Sequence, residues 1–205
     1  MDESRRKRVV AISVIIGFLA AFPFMAAAAF VYLRYGDPPV ATADKPFPYE
    51  ETIVHIALNA RIDRQLATAP LNPTSDNLVA GAQVYVAHCA VCHGTPLQNS
   101  SFGQWEYPIA TRLWTKHANG VVGVSDDPSN VSYWKVKNGI RLTGMPSFQH
   151  ILTEPEMWQV SLLIAQADKQ QLPDVTETFV RANSLRSQSE SEQMQQSPKS
   201  PVNTK

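Results

Sequence analysis

Cys89-Ala90-Val91-Cys92-His93 limits the folds open to this chain more than any other stretch of it. Two cysteines three apart bring both sulfurs to one edge of a short helical turn. A histidine directly after them can set its ring across the plane those sulfurs define. The spacing is the signature of c-type haem attachment: each thiol adds to a vinyl group to form a thioether, and His93 binds the iron as the proximal ligand. Cys89 and Cys92 are the only cysteines in the sequence, so no other thiol needs a role.

Three other uses of the pair compete. A thioredoxin-like dithiol begins a helix after a strand, whereas here the pair ends a helical pattern with no strand-like run before it. A structural zinc site takes four ligands in two knuckles, and this chain offers one pair and scattered histidines. A disulfide across so tight a loop meets an awkward bridging geometry. A second motif favours the haem reading. Gly144-Met145-Pro146-Ser147-Phe148 lies in a loop between two helical patterns, outside any apolar stripe, so core filling explains Met145 poorly. A thioether paired with histidine raises the potential of haem iron and suits electron transfer. Gly144 permits a close backbone approach and Pro146 stiffens the loop after the ligand. With His93 and Met145 both on iron, no position stays open for a substrate. A labile Met145 is the alternative, and it describes a small-ligand binder or a peroxidase-like protein.

The N-terminal end sets a second constraint. Val9 to Leu33 holds no charged side chain over 25 positions. As a helix this run reaches roughly 37 Å, enough for a hydrocarbon layer of about 30 Å with tilt. Arg5, Arg6, Lys7 and Arg8 precede it, while Arg34 and then Asp37 follow. The excess of positive charge places residues 1–8 in the cytoplasm and everything after the anchor outside. Ala26-Ala27-Ala28 resembles a signal-peptidase site, so a cleaved leader competes with a retained anchor over 9–33. Either way the cysteines reach the outer side of a bacterial inner membrane, where c-type haem is attached.

Residues 34–73 are rich in proline and read as a semi-rigid spacer. Within it Tyr49 to Ala67 has helical character, with Glu50 and Glu51 at the start, Arg61 and Arg64 near the end, and Val54, Leu58 and Ile62 on one face. His55 on that helix reads as solvent-exposed or packing. Residues 74–180 read as the main domain. Ser75 or Asp76 caps a helix from Asn77 that delivers Cys89. His88 reads as surface. Thr95 to Val124 is a long loop whose Trp105, Tyr107, Ile109, Leu113 and Trp114 offer apolar walls. A helix over Pro128–Asn138 shows Val131, Trp134 or Lys135, and Asn138 on its face and stops at Gly139. Thr153-Glu154-Pro155-Glu156 is a capping box for a broad apolar helix ending near Asp168. Residues 181–205 read as a disordered polar tail.

Helix, Cys89–His93, long loop, short helix, Gly144-Met145-Pro146 and amphipathic last helix together resemble a class I cytochrome c domain over roughly Asp76 to Asp168. The resemblance implies an all-α fold around one covalent haem c, and a crossing of first and last helices at Gly81 and Tyr85. It also implies a loop proline whose carbonyl accepts from the proximal imidazole, for which Pro108 is the candidate. The anchor and the run Asn138-Gly139-Ile140-Arg141-Leu142-Thr143-Gly144-Met145-Pro146-Ser147-Phe148 are similar to cytochrome subunits of respiratory or dehydrogenase complexes. The implied role is an electron-transfer protein or subunit rather than an enzyme, exchanging single electrons with redox partners. Eighteen basic and eighteen acidic residues leave no net charge, which argues against nucleic acid as a partner. Between Asp76 and Glu177 nine acidic residues face six basic ones, a mild acidity that weakly favours basic docking partners.

Overall fold

The computed structural model describes residues 3–196. Among them the chain forms α-helices and no strand beyond an isolated bridge between Lys116 and Val122. Two compact units divide at Pro48.

The first unit is built on α1 (Glu3–Tyr35), which continues unbroken through Pro23 and buries none of its residues. It extends the expected 9–33 span at both ends, taking in the basic tract, where Lys7 pairs with Glu3 at 2.9 Å. By length and composition α1 can cross a membrane. After it, Asp44 accepts from the backbone N–H groups of Val40 and Ala41, which closes a turn.

The second unit holds α2 (Glu50–Asp63), α3 (Ser75–His88), the single turn α4 (Ala90–His93), α5 (Ser129–Asn138), α6 (Glu154–Ile164) and α7 (Pro173–Gln196). Thr74, one residue before the expected cap, accepts from the Asn77 N–H and starts α3. Its buried face, Leu78, Gly81, Ala82 and Tyr85, has the three-to-four spacing of one helical stripe. That face crosses α6 where Gly81 has no side chain: a Cβ there would sit 2.3 Å from the Gln159 carbonyl oxygen. Backbone-to-backbone approach is thus what the glycine provides. Helix α6 opens on the expected capping box, with the N–H and hydroxyl of Thr153 both donating to Glu156 at 2.7 Å. It buries Met157, Trp158 and every residue from Val160 to Ile164.

Three sequence expectations are corrected. Helix α5 buries Ser132, Tyr133 and Val136, whereas the expected face of Val131, Trp134 or Lys135, and Asn138 is half-buried or exposed. The Tyr133 ring stacks on Trp158 at 3.9 Å, which sets the rotation. The segment expected to be a disordered tail is helical through Gln196, and residues 197–205 lie outside the described residues. Val175 and Phe179 explain it: both are fully buried, and Phe179 meets Tyr85 and Trp114 edge-on at 5.9 and 5.1 Å. Tertiary packing of the first turns supplies the nucleus that the polar remainder could not supply alone. The long loop, finally, does not present all its aromatics to one cavity. Ile109 and Leu113 line it, Trp114 packs behind it against Tyr85, and Trp105 stays 75% exposed.

Candidate functional site

Helix α3 ends by handing the chain straight into α4, whose first turn closes when the Cys92 and His93 N–H groups donate to the Cys89 carbonyl at 3.2 and 2.9 Å. This places both thiols and the imidazole on one turn, as the spacing predicts. Tyr85, fully buried on α3, donates its hydroxyl to the Gly94 carbonyl at 2.8 Å and locks the turn from behind. Burial pushes that phenol well above its ordinary range, so it stays a donor.

Across the cavity, Met145 is held by a loop folded back on the end of α5. Gly139 stops the helix at φ 67°, a left-handed value, and leaves no room for a side chain against Pro146. The Phe148 N–H donates to the Val136 carbonyl at 3.0 Å, Ser147 donates to the Lys137 carbonyl at 2.7 Å, and the Met145 N–H reaches the Thr143 hydroxyl at 3.1 Å. Hydrogen bonds on both sides of Met145, from backbone and from hydroxyl groups, therefore hold the loop that carries the thioether.

Cys89, Cys92, His93 and Met145 all line one cavity of about 340 Å³, within the range of cofactor sites. Its inner wall is apolar, made by Tyr85, Leu113, Val160 and Ile164. Both cysteines are free thiols. Burial pushes Cys89 up to about 12, with the neighbouring Cys92 adding to the shift. Cys92 rises to about 11, first through desolvation and then through the Glu106 carboxylate, which accepts from its sulfur at 3.0 Å. Glu106 also fills the space a side chain on Gly144 would take, 3.0 Å from it.

The imidazole of His93 meets the carbonyl of Thr111 at 2.7 Å through Nδ1. A carbonyl can only accept, so Nδ1 carries the proton and Nε2 keeps its lone pair for a metal. The expected partner was Pro108, and this is corrected: Pro108 lines the cavity after a cis peptide, and the bonding carbonyl comes three residues later. No signal in the sequence separates the two, because any loop residue supplies the same carbonyl.

The donor set fits a c-type haem: two thiols, one imidazole with a free nitrogen, and a thioether around an apolar slot. Among the described residues no three His, Cys, Asp or Glu side chains gather as a metal-ion site, so a zinc site lacks its ligands. His88 is exposed, as expected, although it reaches the cavity rim beside Phe148. His55, with Leu58 and Asn59 of α2, also lines the cavity, and the sequence carried no sign of this.

Residues 76–163 match the family model described as cytochrome C oxidase, cbb3-type, subunit III. No curated protein and no solved structure matches the chain. The matched segment runs from the start of α3 nearly to the end of α6 and so contains both ligand motifs and the helix crossing at Gly81. Over that segment the chain is similar to the cbb3-type cytochrome c domain, a class I c-type cytochrome domain, and a domain of that type binds haem.

Proposed function

We propose that this chain is a mono-haem c-type cytochrome, anchored by α1 in the bacterial inner membrane, that carries single electrons between redox partners on the outer side. The observation that carries the reading is the convergence of Cys89, Cys92, His93 and Met145 on one cavity from two segments some fifty residues apart in sequence. In this reading Cys89 and Cys92 would hold the haem through thioethers, and His93 and Met145 would be the residues that bind its iron. Haem iron so ligated supplies one-electron chemistry. The chain's own work is to keep the ligands in place and water out. Thr111 orients the His93 ring, the α5 loop holds Met145, and Tyr85, Leu113, Val160 and Ile164 form the dry wall.

The basic tract before α1 supports an orientation with the domain outside the cytoplasm. The family description names an oxidase subunit, which supports a place in a larger membrane oxidoreductase over a free carrier. The pyridine haemochrome spectrum of the membrane-extracted protein tests the core claim. A spectrum of c-type thioether haem is expected, and colourless protein with two reactive thiols would refute it. Carbon monoxide titration of the ferrous protein then tests ligation: weak binding is expected in wild type and tight binding in Met145→Ala. Tight binding by wild type would instead favour the small-ligand alternative.

A further inference from the structure

We infer that the haem site extends beyond the family segment: His55 and Asn59 of α2, with Ser132 and Lys135 of α5, form the polar end of the cavity that receives the haem carboxylates. The inference rests on the haem reading above and assigns a role to a helix that lies outside residues 76–163.

Helix α2 is fastened to the domain at both ends. Near its start Tyr107 donates to Glu50 at 3.4 Å. At its end Ile62 is buried, and just past it Trp134 of α5 donates to Gln65 at 3.0 Å and Asn130 to the Ala67 carbonyl at 3.2 Å. Between these points His55, Leu58 and Asn59 share one face by their spacing, and that face lines the cavity. A helix that merely covered an apolar slot would turn its largest apolar residues inward. Helix α2 does so only in part: Leu58 lines the cavity and Ile62 is buried, but His55 and Asn59 reach the cavity from the same face while Ile53 and Ile56 stay 65% and 66% exposed.

The facing wall carries the second observation. Ser132 is 2% exposed, lines the same cavity, and its hydroxyl has no partner. A buried helical serine commonly donates back to the carbonyl four residues earlier, as Ser161 does to Met157 at 2.6 Å. Ser132 does not, and an unpaired buried hydroxyl is costly unless a bound group takes its hydrogen bond. Lys135, one turn further along, also lines the cavity; its bond to Asp127 at 3.0 Å uses one of three ammonium hydrogens.

The chemistry of the ligand selects among the walls. Thioethers to Cys89 and Cys92 tether one edge of the macrocycle to α4. In a haem the two carboxylates leave the opposite edge, so a macrocycle held in this way would direct them away from α4. Tyr85, Leu113, Val160 and Ile164 offer them an apolar interior, and Glu106 repels them. The α2 and α5 residues offer an amide, a hydroxyl, an imidazole and an ammonium group. Donors that offset the carboxylate charge make the ferrous state easier to reach, because that negative charge favours ferric iron.

Detergent-solubilised full-length protein tests the assignment through its reduction potential and the carboxylate-sensitive bands of its resonance Raman spectrum. His55→Ala and Ser132→Ala should each shift those bands. Each should also move the equilibrium with a fixed reference couple about threefold to tenfold toward the oxidised form, tenfold being about 59 mV for one electron. His55→Gln, which keeps a donor, should restore both, and Ile56→Ala on the exposed face should change neither. Ser132→Ala removes only a hydroxyl, so it carries the test even if His55→Ala loosens α2. Wild-type bands and potential in both alanine variants would overturn the inference. Failure of the haem reading shows separately, as a wild-type protein with no thioether haem at all.

Discussion

Gly81→Ala tests whether the helix crossing is the keystone of the domain. A methyl group at this position would lie 2.3 Å from the Gln159 carbonyl oxygen and 3.2 Å from the Val160 nitrogen. Both contacts are to backbone, so no side-chain rotation relieves them, and α3 must retreat from α6 by about 1 Å to restore an ordinary contact. A gap of that size forfeits about a quarter to a half of each dispersion well across the interface. The side chains affected include Leu78, Tyr85, Trp158 and Val160, all buried. Overpacking of this kind costs about 1–3 kcal/mol, and strain against rigid backbone belongs at the upper end. Alanine recovers about 1 kcal/mol as the better helix former. The net expectation is a loss of about 2 kcal/mol, read as a lower denaturant midpoint with unchanged slope in urea unfolding. The same retreat moves α4, so, if Met145 binds the iron as proposed, the sulfur-to-iron charge-transfer band of the haem-bound protein should weaken. A variant as stable as wild type, or more so, would show that α3 and α6 do not rely on backbone contact here.

Phe179→Ala should cost about 3–5 kcal/mol, because a fully buried ring wedged between Tyr85 and Trp114 is lost; hydrogen exchange should then show α7 opening first. Tyr85→Phe removes the buried bond to the Gly94 carbonyl at 2.8 Å and should lower stability by about 1–2 kcal/mol in thermal unfolding. Raised thiols in the haem-free protein predict a pH signature. The folded state holds the protons of Cys89 and Cys92 up to about 12 and about 11, against an ordinary 9.0. Their contribution is complete below pH about 9 and is lost as pH climbs through the folded values, since the unfolded chain ionises first. Urea midpoints of haem-free protein should therefore fall across that window, and thioether formation should abolish the fall.

How far the chain could be read without coordinates depended on the range of each interaction. The Cys89–His93 motif, the Met145 loop, the charge-free run within α1 and the capping box of α6 are local patterns, a few residues whose spacing carries the physics. Those were legible because a helical turn or a cap is closed by near neighbours. The partner of the His93 ring was not, since a backbone carbonyl has no sequence identity and only loop geometry chose Thr111 over Pro108. Nor was the direction of α5, which follows from Tyr133 stacking on Trp158 rather than from periodicity.

Helix α7 and the inward face of α2 mark the same boundary. Val175 and Phe179 are the buried residues of a mostly polar helix, and their burial decides that the segment is helical. His55 read as solvent-exposed or packing, and its place on the cavity beside Asn59 appears only once α2 is held by Glu50, Ile62 and Gln65. What the residue order determined by itself is the chemistry: which atoms can grip a haem and in what spacing. Which side chains from separate helices line one cavity with that motif was decided by the tertiary structure, because burial is a property of the assembled surfaces and no single helix contains it.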